Sequence, residues 1–171
     1  MINLESLQLL ARYNIWATTK LSQSLADVTD ADFYRDSGLF FQSIFGTLNH
    51  LLLGEHELWF PRFAKGYSPT LQLNSIVEQN RHVLIQTLQE KALSWITFLN
   101  VLDPQDLAGN LNYQTSAGQP KSLPYAATLV HVFNHGTHHR GQISAALTAM
   151  GYACPELDLV YMLVEEQQNL Q

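Results

Sequence analysis

Four of the chain's seven histidines, His131, His135, His138 and His139, fall within nine residues. Neutral imidazole is a ligand for divalent transition metals, and two imidazoles four residues apart on a helix project from successive turns into one space. His131, His135 and His139 have that spacing, so either adjacent pair could grip one ion, and spacing alone does not choose between them. A lone helical histidine is more often a surface residue or a hydrogen-bonded core residue. This run, however, lies flush against an apolar stripe of Leu129, Val132, Gly136, Ile143, Leu147 and Met150, which a solvated histidine-rich face would not.

Two imidazoles leave such an ion short of ligands, so a third must come from another element. The histidine helix is read from Pro124 to Gly151, with Ser122 as candidate N-cap, Pro124 in the first turn and Gly151 as the stop. The segment from Phe41 to Gly66 reads as a second helix. It has Ile44, Leu48, Leu51, Leu52, Leu58 and Trp59 on one side, and His50 among Ser43, Gly46, Thr47, Gly54 and Glu57 on the other. Small neighbours around an inward histidine leave room for a metal and its ligand, which makes His50 the third candidate. His56 falls well around that helix and reads as a surface or rim residue, and His82 as a surface residue. Pro61 should kink or end the helix.

The remaining elements are helical. Leu4 to about Ala26 repeats apolar residues near the helical period; Trp16 reads as core, and Tyr13 as core or as a hydroxyl facing a cavity. Asn74 or Ser75, with Glu78, resembles a capping box opening a third helix that ends near Pro104. Its charged and amide residues, Arg81 among them, read as a solvated face. LNYQT alternates apolar and polar before a turn at 116–120, which predicts a small hairpin ahead of the histidine helix. Pro155 opens a short last helix with Leu159, Met162 and Leu163 on its apolar face. The expected architecture is all-α, with residues 1–171 forming a single domain.

Composition narrows the function. A formal charge of −6 and a pI near 5.5 argue against a nucleic-acid binder, which needs basic patches. The one cysteine, Cys154, excludes an internal disulfide framework and fits a reducing, cytoplasmic setting. It stands before Pro155 with no activating partner in sequence, so it does not read as a nucleophile. No apolar run approaches membrane-spanning length, and the N-terminus lacks a basic signal-like region.

Four blocks, in order, resemble the DinB/YfiT-like family of metalloenzymes. ARYNIWATTKL is similar to the family's Tyr-x-x-Trp opening helix, and TLNHLLLGEHELWFPRFAKG to its second-helix motif. HVFNHGTHHRGQISAALTAMG is similar to its His-x-x-x-His-Arg-Gly-Gln block, and PELDLVYML to its closing segment. The resemblance implies a four-helix bundle, usually a homodimer, with a divalent metal on His50, His135 and His139. It also implies relatives that use a low-molecular-weight thiol, and others regarded as hydrolases. Three imidazoles suit Zn²⁺ or Ni²⁺ first, and Fe²⁺, Co²⁺ or Cu²⁺ as well, over Mg²⁺ and Ca²⁺.

Three protein ligands leave a coordination position open, where water or a thiolate becomes a nucleophile at neutral pH. The expected function is therefore a metal-dependent transferase or hydrolase acting on a small molecule. A metal-binding, stress-associated bundle without catalysis is the alternative, and an apolar pocket over the open position would separate the two. Gln142 shares a helix side with His135 and His139 and is a candidate to orient a ligand. Glu57, two turns after His50, is the candidate general base. Arg140 points away from that side, toward an ion pair such as Asp158.

Overall fold

In the computed structural model, which describes residues 2–169, α1 (Leu4–Ser24) starts where the Asn3 side chain accepts from the Ser6 N–H at 2.8 Å. It buries Leu7, Ala11, Asn14, Ala17 and Leu21 along one face, steps of three and four that track a helical stripe. A 3-10 turn (Leu25–Asp27) and the short α2 (Asp30–Tyr34) lead to an extended passage ending at Ser43, whose hydroxyl caps α3 (Ile44–Leu51). Within that passage Gln42 takes a left-handed conformation, φ 68°, a turn chemistry more usual for glycine or asparagine.

The helix does not stop at Pro61 itself but runs on to Ala64. α3 runs directly into a π-helical segment (Leu52–Trp59) and on into α4 (Phe60–Ala64). The Phe60 N–H reaches back five residues to the Glu55 carbonyl. Widening the turn in this way absorbs a proline that has no N–H and would crowd the preceding turn. The wider turn also rotates Glu55 and His56 into the interior, where both are buried.

α5 (Arg81–Val101) starts later than the Asn74/Ser75 signal predicts. The reason is Asn49 on α3. Its Oδ1 accepts from the N–H groups of Val77 (2.9 Å) and Glu78 (3.0 Å), and its Nδ2 donates to the Glu78 carbonyl (3.1 Å). Those backbone groups, tied to a side chain 28 or 29 residues away, are not available to a first helical turn. Asn80 caps α5 instead, accepting from the His82 and Val83 N–H groups. Arg81 is not on a solvated face: it is buried, donates to Asp30 at 2.8 Å and to the Leu25 carbonyl, and stacks on Phe33.

β1 (Asn110–Gln114) and β2 (Pro120–Pro124) form the predicted hairpin, antiparallel with Asn112 opposite Ser122. Ser122 is therefore a strand residue that accepts from Asn110 rather than a helix cap. α6 (Tyr125–Ala149) follows, and Gly151 at φ +83° ends it. The final helix, α7 (Leu159–Gln168), begins four residues after Pro155. The Tyr13 hydroxyl donates to the Leu157 carbonyl at 2.6 Å, so Tyr13 ties down the approach to α7. Met162 is buried against Tyr13 and Ala17, whereas Leu163 is exposed. Trp16 is half-buried and donates to Glu165 at 2.8 Å.

α1 packs against α5 and α6, and α3 packs against the same pair. The four long helical elements make a bundle, with the hairpin and α7 as additions. Two apolar clusters fill it. One gathers Leu21, Leu48, Leu84 and Ile143, and the other Leu7, Phe63, Trp95 and Phe133. On three of these elements the residues between the clusters include buried polar ones: Asn14 on α1, Glu55 and His56 in the π-helical segment, and Arg140 on α6. That polar layer sits at the level of the histidines. Among the described residues, no helix is long and apolar enough to cross a membrane.

Candidate metal centre

His50 on α3 and His135 and His139 on α6 meet between the helices. The Nε2 atom of His135 lies 3.0 Å from that of His50 and 3.1 Å from that of His139. The three can present one nitrogen each within a 4.8 Å group. Zinc–imidazole bonds of about 2.0–2.1 Å place tetrahedral ligand nitrogens about 3.3 Å apart, so the spacing fits a single ion. His50 Nδ1 lies 3.0 Å from the Leu73 carbonyl, and His139 Nδ1 lies 2.7 Å from Gln142 Oε1. Both partners are acceptors, so both rings carry their proton on Nδ1 and turn an Nε2 lone pair inward. Phe41 stacks on His50 at 3.8 Å between ring centres, 18° from parallel.

The electrostatics agree with that donor set. Burial, then the neighbouring imidazoles of His139 and His50, hold His135 down at about 3. Burial holds His139 at about 4 and lowers His50 as well. All three rings are neutral at pH 7, the form a divalent ion needs. Gly54 makes room for them: a Cβ there would stand 3.3 Å from His135 Cε1. Gly46 has a different reason, since a side chain would overlap the Phe41 carbonyl.

A cavity of about 690 Å³ opens over the imidazoles, with walls that include Phe40, Phe41, Leu58, Trp59 and Leu73. Gln142 lies on it. Glu57 is not among its lining residues; it makes an ion pair with Lys91 of α5, so the general-base expectation does not carry over. His131 and His138 are exposed and line the same cavity, His131 with its ring 5.8 Å from that of His135. His82 is exposed.

His56 is a correction to the surface reading. It is buried in the polar layer, and burial, then Lys91, hold its pKa at about 3. Its Nε2 stands 3.7 Å from Glu55, which with a neutral ring is neither an ion pair nor a hydrogen bond. Arg140 is not paired with Asp158 either. It is buried and donates to Asn14 Oδ1 at 2.5 Å, while Asn14 Nδ2 donates to Glu55 Oε2 at 3.0 Å. Asn14 thus relays between a buried cation and a buried carboxylate. Burial raises the Glu55 pKa, and Arg140 and Asn14 oppose that rise. Gly136 is needed here, because a Cβ would collide with Glu55 Oε1 and Arg140 Nη1. One signal of this layer was readable: Asn14 interrupts the apolar stripe of α1.

A model of the DinB family matches residues 1–169. Protein DinB of Bacillus subtilis (strain 168) is 29% identical over 155 residues, covering 87% of this chain and 88% of that one. Among solved structures, YfiT from Bacillus subtilis superposes with a TM-score of 0.66 at 19% identity, over 87% of this chain and 90% of that chain. YfiT is described as "a probable metal-dependent hydrolase with an unusual four-helix bundle topology". At that identity the likeness carries the fold. The match to the family model carries more: this chain belongs to the DinB family.

Proposed function

We propose that the protein is a metal-dependent enzyme that uses His50, His135 and His139 to hold a divalent ion against a small-molecule cavity, with water or a low-molecular-weight thiol as the nucleophile. The observation that carries this reading is the convergence of three neutral Nε2 atoms onto one side of an apolar-walled cavity of about 690 Å³, a size suited to a small organic molecule. A metal store needs no such cavity. When bound, the ion would supply Lewis acidity, making water or a thiol nucleophilic near neutral pH.

The chain's own residues do the rest. The Leu73 carbonyl and Gln142 fix the Nδ1–H tautomers of His50 and His139, and Phe41 covers one face of His50. Phe40, Leu58 and Trp59 give the cavity apolar wall surface. No aspartate or glutamate is among the described residues that line the cavity, so a proton released there passes to His131, His138 or solvent. The hydrolase description of YfiT and the thiol chemistry implied by family resemblance are the two branches of this reading.

Cobalt substitution separates them. In Co²⁺-loaded protein, a small thiol should change the visible absorption if sulfur enters the coordination shell. A response to azide or imidazole without one to thiol would favour the water branch. A spectrum unmoved by all three would mean a closed shell and would remove the enzyme reading.

A further inference from the structure

Arg62, in the last turns of the second bundle helix, is 6% exposed and lines the cavity over the histidines. Its guanidinium carbon sits 4.6 Å from the Trp59 ring centre and 4.7 Å from that of Tyr113. A guanidinium has five N–H donors, and here Nη2 bonds the Gln114 carbonyl at 3.1 Å. Nε is buried without a hydrogen-bond partner, and Nη1 has none among the described residues. The other buried arginines are compensated, Arg81 by Asp30 and Arg140 by Glu55 through Asn14. Arg62 has no carboxylate within ion-pair distance among the described residues.

A buried cation without a counter-ion is costly to keep. It persists here in a chain of net charge −6, on a cavity whose described lining has no acidic residue. The wall is continuous from Arg62 to the imidazoles: Trp59 lies 5.4 Å from the His131 ring, and His131 lies 5.8 Å from that of His135. We propose that Arg62 is the anion-recognition residue of the cavity, and that the substrate carries a carboxylate on an apolar, ring-sized body. The carboxylate docks on the guanidinium edge that carries the unpartnered Nη1 of Arg62, while the body lies along Trp59 toward the histidines. This rests on the reading of the cavity as a substrate site. It also gives the hairpin a task, since Tyr113 and Gln114 hold the guanidinium in place. Arginine suits the role because its planar fork matches a carboxylate.

Calorimetric titration with benzoate and with benzamide, the neutral isostere, tests the proposal on metal-free and zinc-loaded protein. Wild type should prefer benzoate by about tenfold or more, the scale of one charge-assisted hydrogen bond, in both forms. Arg62→Gln should bring benzoate down to the benzamide level, and Arg62→Lys should fall between. Equal binding of the two ligands by wild type would overturn the proposal. So would a preference that survives Arg62→Gln, including one confined to zinc-loaded protein, because the carboxylate would then sit elsewhere.

If neither variant folds by circular dichroism, the arginine Nε–H resonances of wild type decide. A buried Nε–H that moves with benzoate and not with benzamide is expected, and no movement overturns the assignment. Zinc content of the same samples keeps the two readings apart. Protein that takes up no zinc yet keeps an Arg62-dependent preference would remove the metal reading and leave this one standing.

Discussion

Alanine at His50, at His135 or at His139 should strip the purified protein of bound divalent metal, weakening affinity by more than about 100-fold in each case. The magnitude follows from a comparison. Loss of a residue that only orients a ligand typically costs about 10- to 100-fold, and removal of a ligand from a three-nitrogen set must cost more. Gln142→Ala, which leaves His139 without its 2.7 Å acceptor, should fall in the smaller range. His82→Ala and His138→Ala should keep full occupancy, because neither belongs to the converging group. Elemental analysis with chelator competition reads all six variants. Full occupancy in the His50 variant would mean the ion is held by α6 alone, and the three-histidine site would be wrong.

What could be read from the sequence was local. The four-residue histidine spacing, the turn between two strands and the terminal Gly151 are each visible within a few positions, and each has its counterpart in the structure. What could not be read depended on distant partners. The start of α5 was set by Asn49, a side chain on another helix, which took the N–H groups that the Ser75/Glu78 signal needed. Glu57 was placed beside His50 by counting two regular turns. The π-helical segment has more residues per turn, so that count fails and Glu57 turns toward Lys91. The same widening buries His56, which a regular helix would have left near the surface. Arg140 adjoins His139 in sequence, yet its partner lies 126 residues away on α1.

That partnership should be the largest single contributor to stability outside the apolar clusters. Arg140→Met leaves Glu55 buried with its cation gone and Asn14 with an unfilled acceptor, and breaking a buried charge pair in this way costs about 3–5 kcal/mol. Adding Glu55→Gln to the same chain should recover part of the loss, because no lone carboxylate is then buried. Urea unfolding of the two single variants and the double variant measures the coupling; a loss below about 1 kcal/mol for Arg140→Met would mean the layer contributes little. The layer should also shape the acid limb of stability. His56 has a folded pKa of about 3, held there by burial and then by Lys91, against an unfolded value near 6.5. As pH falls below 6.5 the unfolded chain takes up that proton before the folded one does. Stability from this group is therefore present above pH 6.5 and declines toward pH 3, by at most about 1.4 kcal/mol per pH unit. Glu55, with its pKa raised by burial, works in the opposite sense: the folded state binds its proton first as pH falls, which offsets part of the decline. Metal-free protein should thus lose stability from pH 6.5 downward, and His56→Leu should flatten that slope. An unchanged slope in the His56→Leu variant would show that the decline originates in the histidine triad, whose rings share the same depressed range.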